Sequence, residues 1–180
     1  MSQPKRIYGL IGYPVKHSFS QAMHNAAFKY LKQRGEIDYD AEYKMFEVAA
    51  KDLDSFLKSL DEKNIYGLNV TVPHKEKVFD FVNIDPGSPH LKRIKAINTV
   101  VKKGDVWVGY NTDILGFSSH LKENIDPANK KVAILGAGGA GKAVAYAVAN
   151  SRAGEITIYD IDKNKVKDII DTIKDLFKCF

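Results

Sequence analysis

The sequence predicts an α/β fold, in which a mixed-sheet α/β domain is followed by the beginning of a second α/β unit. Short apolar segments alternate along the chain with longer amphipathic ones, which is typical of helices packed on a parallel or mixed sheet. The 180 residues are 44% hydrophobic and 27% charged, a globular composition that suits one large domain or two small ones. The polar segment DPANKK precedes a new strand pattern near residue 130, so we predict domains at 1–124 and 125–180.

The first half of the chain contains three predicted strands, each followed by a predicted helix. RIYGLIG is typical of a buried strand, and DYDAEYKMFE alternates as a half-buried strand does. In the third strand, apolar side chains alternate with polar Asn69 and Thr71, and Pro73 ends the ladder because it has no N–H to donate. The predicted strands are residues 6–12, 38–47 and 65–72, and the predicted helices are residues 19–34, 49–63 and 74–82.

The middle of the chain predicts a hairpin and a bridging helix. The segment AINTVVKKGDVWVGYNTD contains two strand patterns joined by Lys103, Gly104 and Asp105, and a glycine at this turn is typical of a β-hairpin. A helix is predicted over residues 114–123. It leads to the domain boundary, which we place between residues 124 and 130.

Composition and charge exclude several classes of protein. The single cysteine, Cys179, cannot form an internal disulfide, which favours a reducing compartment. We find no signal-peptide pattern and no apolar run of the ~20 residues that a membrane helix needs, so we predict a cytoplasmic protein without a membrane partner. The net charge of +5 arises from lysines interleaved with acidic residues, which indicates solvated helix faces and small anionic ligands rather than nucleic acid. The five histidines lack metal-ligand spacing, so no metal is predicted.

A glycine-rich loop opens the second unit. In VAILGAGGAG a buried strand is followed by glycines in G-x-G-x-x-G spacing, then by an alanine-rich helix and a second strand, EITIY. Such glycines let the backbone approach a pyrophosphate, which the N-terminus of the following helix attracts. The alternative is a strand–helix turn without a ligand. The residues predicted to contact a dinucleotide are Gly136, Ala137, Gly138, Gly139, Ala140, Gly141 and Asp160.

Asp160 also bears on the choice of cofactor. It ends the second strand, where a dinucleotide fold places the acid that accepts hydrogen bonds from the adenosine ribose of NAD. The same carboxylate repels the 2′-phosphate of NADP, and the next residue is Ile161 rather than an arginine. Lys163 and Lys165 lie nearby in sequence and weaken this argument, but the balance predicts NAD over NADP.

Four further segments lie at predicted strand ends or in the loops after them: KHSFS, NVTVPHK, AINTV and GYNTD. In this order, and followed by GAGGAG, they resemble the shikimate dehydrogenases over nearly the whole chain. The resemblance implies a substrate-binding catalytic domain followed by a Rossmann dinucleotide-binding domain, in a monomer or homodimer. It also implies reversible NAD(P)-dependent reduction of 3-dehydroshikimate to shikimate, with quinate as an alternative substrate.

The resemblance also implies a role for each matching residue. Ser18 and Ser20 would bind the substrate carboxylate, and Thr71 and Asn98 would bind ring hydroxyls. Lys75 and Asp113 would form the catalytic pair. These roles agree with the chemistry, because reduction of a ketone produces an alkoxide that needs a proton donor, and an ammonium held by a carboxylate can supply the proton.

Simpler interpretations of the same residues remain open. The serines are also typical helix caps, a lysine just after a strand is usually solvated, and Asn98 and Asp113 are common turn residues. His17 and His74 are expected to be neighbours of the site only.

The sequence departs from the family's pattern in three ways. IYDID stands where many members carry an Asn-Arg-Thr run for the NADP phosphate, and Tyr110 stands where an acid is common. After residue 130 we predict only two strands and two helices, whereas a complete dinucleotide domain has up to six strands. We therefore expect an incomplete Rossmann-like domain in a truncated chain, and a non-catalytic module that binds shikimate is a further alternative.

Overall fold

The structure is a computed structural model, and it describes residues 4–176. Its strands are β1 (Arg6–Gly12), β2 (Ala41–Glu47), β3 (Ile65–Val70), β4 (Asn83–Ile84), β5 (Thr99–Lys103), β6 (Val106–Tyr110), β7 (Lys131–Leu135) and β8 (Glu155–Tyr159). Its α-helices are α1 (Ser20–Gln33), α2 (Leu53–Lys58), α3 (Leu91–Ile94), α4 (Thr112–Asn124), α5 (Gly139–Asn150) and α6 (Lys163–Leu176). No helix in this part of the chain is long and apolar enough to cross a membrane.

The strands form one six-stranded sheet and one two-stranded sheet. The larger sheet has the order β2-β1-β3-β5-β6-β4. Strand β1 runs parallel to both β2 and β3, whereas β5 runs antiparallel to β3. The smaller sheet pairs β7 and β8 in parallel, with α5 as the crossover between them. The predicted mixed α/β fold is thus confirmed, and the strand–glycine loop–helix–strand unit follows it.

The chain divides into two compact units, each made of two segments. Within residues 4–176, the first unit comprises residues 4–83 and 99–109, and the second comprises residues 84–98 and 110–176. This division does not coincide with the predicted domains 1–124 and 125–180, which stay a prediction about domain organisation.

The core of the first unit includes one face of β1 and β2 with helix α1 beside it. Leu10, Val15 and Tyr43 form a buried cluster, and partly buried Tyr8 and Phe28 pack against it. The alternation of the strands explains this arrangement, because side chains at every second position share one face of a sheet.

The core of the second unit lies between the β7–β8 pair and helices α5 and α6. Ile134, Ala137, Ala145 and Ile169 are buried there. Alanines along α5 allow the helix to pack closely against the β7–β8 strand pair, since an alanine has no side chain beyond Cβ. The buried Lys142 of α5 is paired with Asp168 of α6, with 2.7 Å between Nζ and Oδ2.

Two predicted helices are shorter than the sequence pattern indicates. Over residues 49–63 the chain forms a 3₁₀ turn at Ala50–Asp52 and then α2, which ends at Lys58. The hydroxyl of Ser59 donates to the carbonyl of Phe56, a local bond that competes with the helical ladder. Over residues 74–82 only a 3₁₀ helix, Lys77–Phe81, is present.

Candidate active site

The loops after β1 and β3 lie side by side at the carboxyl ends of these two strands of the larger sheet. The two strands are parallel neighbours, so their carboxyl ends coincide. The pairing continues into the loops, where Thr71 N donates to Ile11 O (2.9 Å) and Tyr13 N donates to Val72 O (2.9 Å). Gly12 makes this approach possible, because a Cβ there would lie 2.4 Å from Cγ2 of Thr71. Thr71 is thus held at the carboxyl end of β3, where α/β proteins bind ligands.

Ser18 and Ser20 are linked to each other at the start of α1. The Ser18 hydroxyl donates to Oγ of Ser20 (2.9 Å) and accepts from the backbone N–H of Ser20 (3.2 Å). Ser18 therefore holds the first residue of the helix, whereas the N-cap position itself is occupied by Phe19, which makes no side-chain cap bond. Ser20 accepts the Ser18 proton, so its own hydroxyl proton is available to donate to a ligand.

Lys75 follows a firmly anchored histidine. His74 is 1% exposed, and its Nε2–H donates to the carbonyl of Val48 at 2.7 Å. Its backbone N–H donates to Thr71 O (2.9 Å), which closes a turn after the strand. Lys75 is partly exposed. His74, expected to be only a neighbour of the site, is a buried anchor for the segment that carries Thr71 and Lys75.

In the second unit, Asn98 and Asp113 are brought together at the start of α4. The Asn98 amide donates from Nδ2 to Asp113 Oδ1 (2.8 Å) and to Thr112 Oγ1 (2.8 Å), and its Oδ1 accepts from Thr112 N (3.0 Å). Asn111 caps the helix, since its Oδ1 accepts from Asp113 N (2.9 Å) and Ile114 N (3.3 Å). One amide therefore fixes a carboxylate and a hydroxyl that both lie in the first turn of a helix.

The structure brings together some of the predicted site residues within each unit. Ser18 and Ser20 are hydrogen-bonded in the first unit, and Asn98 and Asp113 are hydrogen-bonded in the second. Lys75 belongs to the first unit and Asp113 to the second, so their pairing stays a prediction. Among residues 4–176, no three His, Cys, Asp or Glu side chains are grouped so as to hold a metal ion.

The glycine loop between β7 and α5 has the geometry that its spacing predicts. Gly136 adopts φ +106°, a region that favours glycine, and a Cβ at Gly141 would lie 2.1 Å from the carbonyl oxygen of Gly136. The fold itself thus requires these two glycines. A Cβ at Gly138 would meet no heavy atom of the described residues within 4 Å, so this glycine leaves open space at the start of α5. That space fits the close approach of a phosphate group.

Asp160 lies at the end of β8 and is bonded to the glycine loop. Its Oδ2 accepts from Ala137 N (2.7 Å), and its Oδ1 accepts from Asp162 N (2.9 Å). The N–H of Asp162 and then that of Ala137 hold the pKa of this carboxyl below its usual range. Asp160 therefore stays ionised at neutral pH, and part of its role is to hold the loop.

Sequence reasoning did not assign a role to two polar residues that lie beside the predicted ones. Asn69 lies on β3 two positions before Thr71, and Thr112 lies directly before Asp113. The period-two alternation of β3 could have found Asn69, because it places Asn69 and Thr71 on the same face of the strand.

Comparison with known proteins supports the resemblance to the shikimate dehydrogenases that the sequence indicates. Residues 10–100 match the family described as shikimate dehydrogenase substrate binding domain. A shikimate dehydrogenase (NADP(+)) of Caldanaerobacter subterraneus subsp. tengcongensis is 39% identical over 96% of this chain. The chain spans 59% of the length of that relative.

Solved structures are similar to the chain over most of its length. The shikimate dehydrogenase of Aquifex aeolicus has a TM-score of 0.80 and 32% identity over 96% of this chain, which covers 62% of that protein. The shikimate 5-dehydrogenase of Listeria monocytogenes, solved in complex with shikimate and NAD, has a TM-score of 0.77 and 32% identity. The match covers 95% of this chain and 58% of the Listeria protein. From the matched domain, the sequence identity and the site segments together, we conclude that this chain belongs to the shikimate dehydrogenase family.

Proposed function

We propose that this chain carries the substrate-binding part, and the beginning of the dinucleotide-binding part, of a shikimate dehydrogenase. The proposed reaction is the reversible reduction of 3-dehydroshikimate to shikimate in the cytoplasm. The observation that carries the proposal is the amide of Asn98, which holds Asp113 in the first turn of α4. Both residues were predicted from the family resemblance: Asn98 lies in the middle of AINTV, and Asp113 is the last residue of GYNTD.

The proposed site residues suit a ring polyol with a carboxylate. The hydroxyl of Ser20 can donate to the carboxylate, and Thr71 offers its hydroxyl to a ring hydroxyl. The amide oxygen of Asn98, which has a second lone pair, can accept from another ring hydroxyl. A nicotinamide dinucleotide held by the glycine loop would supply the hydride in the reduction and accept it in the oxidation. Lys75 donates the proton that the resulting alkoxide needs, and Asp113 holds the ammonium of Lys75 in place.

The proposed cofactor is a nicotinamide dinucleotide bound by the glycine loop. The choice between its two forms rests on opposing arguments. The relative from Caldanaerobacter is named for NADP(+), which does not support the predicted NAD preference, whereas the Listeria structure contains NAD. Within this chain, the ionised Asp160 at the end of β8 favours NAD because it repels a 2′-phosphate.

Substitution of Lys75 tests the proposed catalysis. In a dehydrogenase assay with shikimate and either dinucleotide, Lys75→Ala should lower kcat by about 10²–10⁴-fold, the usual contribution of general acid–base catalysis. Lys77→Ala is the matched control, since Lys77 is an exposed lysine two positions further along the chain. The control should keep the wild-type kcat.

Three other outcomes would change the assignment. Near-normal kcat for Lys75→Ala would show that this lysine is a solvated surface residue without a catalytic role. Shikimate binding without turnover by the wild-type chain would identify a non-catalytic binding module. Faster turnover of quinate than of shikimate would identify a quinate dehydrogenase.

A further inference from the structure

Tyr43 is buried in the core of the first unit and is held there by two neighbouring residues of α1. It is 3% exposed, and its ring stacks on the imidazole of His24 in α1, with 4.2 Å between ring centroids and 16° between planes. The side chain of Asn25, the next residue of α1, clamps the Tyr43 backbone: Asn25 Oδ1 accepts from Tyr43 N (2.8 Å) and Asn25 Nδ2 donates to Tyr43 O (3.0 Å). The position of the phenol is therefore fixed by both helix and strand.

The hydroxyl of Tyr43 contacts a polar residue two strands away. Tyr43 lies on β2 and Asn69 on β3, with β1 between them, and Tyr43 Oη donates to Asn69 Oδ1 at 2.7 Å. Burial raises the pKa of Tyr43 to about 12, so the phenol keeps its proton throughout the neutral range. Because the hydroxyl donates, the Asn69 oxygen is the accepting end of this bond, and the Asn69 amino group is turned the other way.

Asn69 lies two positions before Thr71, one of the proposed substrate-binding residues. Asn69 and Thr71 share one face of the strand. Thr71 lies at the carboxyl end of β3, beside the loop that leads from β1 to α1 and its serines. Asn69 is partly exposed. No other hydrogen bond of its side chain is found among residues 4–176, so both amino protons can be offered to a ligand oxygen.

We propose that Tyr43 is a positioning residue, which orients the amide of Asn69 so that it presents only donors to a hydroxyl or carboxylate oxygen of the substrate. This inference rests on the proposed function, since it assumes that the ligand is a shikimate-like acid. Without the Tyr43 hydroxyl, the Asn69 amide would be free to rotate and would present its oxygen to the ligand for part of the time.

Calorimetric titration of the chain with shikimate tests the inference through a double-mutant cycle. Tyr43→Phe removes only the hydroxyl, and Asn69→Ala removes the amide. Each single variant should weaken binding by on the order of tenfold, as expected for a lost hydrogen bond. In the Asn69→Ala background, Tyr43→Phe should have no further effect, because it acts through Asn69. Asn69→Asp, which still accepts from Tyr43 but cannot donate, should bind as weakly as Asn69→Ala or more weakly.

Controls separate positioning from folding. Tyr8→Phe is matched, since Tyr8 is a partly buried tyrosine of the same cluster, and it should leave shikimate affinity unchanged. Equal affinity of wild type and Tyr43→Phe, or additive effects in the cycle, would overturn the inference and leave the proposed function intact. If the folded wild-type chain does not bind shikimate, both the proposed function and this inference are wrong.

Discussion

At the scale of single residues, direct hydrogen bonds assign different roles to side chains that look alike in the sequence. Ser18 and Ser20 form a symmetrical pair of candidates in KHSFS. In the structure only Ser18 accepts a backbone N–H of α1, whereas Ser20 accepts the Ser18 hydroxyl. Ser18 therefore supports the start of the helix and positions Ser20, and Ser20 is the one whose hydroxyl proton is available to donate.

Substitution of the two serines should separate these roles. Ser20→Ala should weaken shikimate binding by roughly 1.5–3 kcal/mol, the value of a hydrogen bond to a charged group, with little change in Tm. Ser18→Ala should weaken binding and also lower stability by about 0.5–1.5 kcal/mol, because the backbone N–H of Ser20 loses its acceptor. Calorimetry and thermal unfolding of both variants measure the two quantities. Equal loss of Tm and of binding in both variants would favour the capping interpretation for both serines.

The buried phenol of Tyr43 makes stability depend on alkaline pH. Its folded-state pKa of about 12 lies above the 10.0 of an ordinary tyrosine. The stabilising contribution is thus complete below pH ~10 and is lost as pH rises toward ~12, because the unfolded chain releases its proton first. Between pH 10 and 11, urea unfolding should show a steeper fall in stability for wild type than for Tyr43→Phe, by up to about 1.4 kcal/mol per pH unit. Parallel curves would contradict this assignment of the pKa.

At the scale of elements, the glycine loop separates what the fold requires from what a ligand requires. A Cβ at Gly141 would clash with the Gly136 carbonyl, whereas Gly138 faces open space and has φ −79°, which any residue can adopt. The motif G-x-G-x-x-G does not distinguish the two glycines, but their surroundings do.

Two glycine-to-alanine variants test this distinction. Gly141→Ala should lower Tm, because its Cβ would lie 2.1 Å from a backbone oxygen and α5 would have to move. Gly138→Ala should keep the wild-type Tm but weaken dinucleotide binding, since the methyl group occupies the space for the phosphate. Thermal unfolding and a dinucleotide titration measure both effects. Unchanged dinucleotide affinity in a stable Gly138→Ala variant would show that the open space is not a phosphate site.

The alternation of apolar and polar residues predicted the longer strands and the hairpin. It did not predict contacts between side chains on strands that are not neighbours. Asn98 and Tyr110 flank Gly104 symmetrically, so the predicted hairpin already places them opposite each other, and Asn98 N indeed donates to Tyr110 O at 3.0 Å. The link between Asn98 and Asp113 follows from this pairing. The contact between Tyr43 and Asn69 could not be predicted, because it spans an intervening strand and depends on the order of the sheet.

At the scale of the whole molecule, the proposed function requires the second unit to bind a dinucleotide, and Asp160 is the residue there that bears on the choice between NAD and NADP. Asp160 both holds Ala137 of the loop and would face the adenosine ribose, so its replacement changes two things at once. Asp160→Asn keeps an oxygen acceptor for the loop and removes the charge, which makes it the matched control for the double variant Asp160→Ser, Ile161→Arg.

The double variant should shift preference toward NADP. It removes a charge of the same sign as the 2′-phosphate and adds a guanidinium that can bind the phosphate, so the ratio of NADP to NAD affinity should rise by at least about tenfold. Asp160→Asn should produce a smaller shift in the same direction. Strong NADP preference of the wild-type chain in the same titrations would show that Asp160 does not select NAD.

Direct binding of shikimate tests the central claim, that this chain carries the substrate site of a shikimate dehydrogenase. In a calorimetric titration, the wild-type chain should bind shikimate at one saturable site. Asn98→Ala should weaken that binding by on the order of tenfold or more, because the ring loses an amide and Asp113 loses its support. Lys77→Ala should bind as wild type does. A chain that circular dichroism shows to be folded, but that gives no saturable heat with shikimate, would contradict the claim.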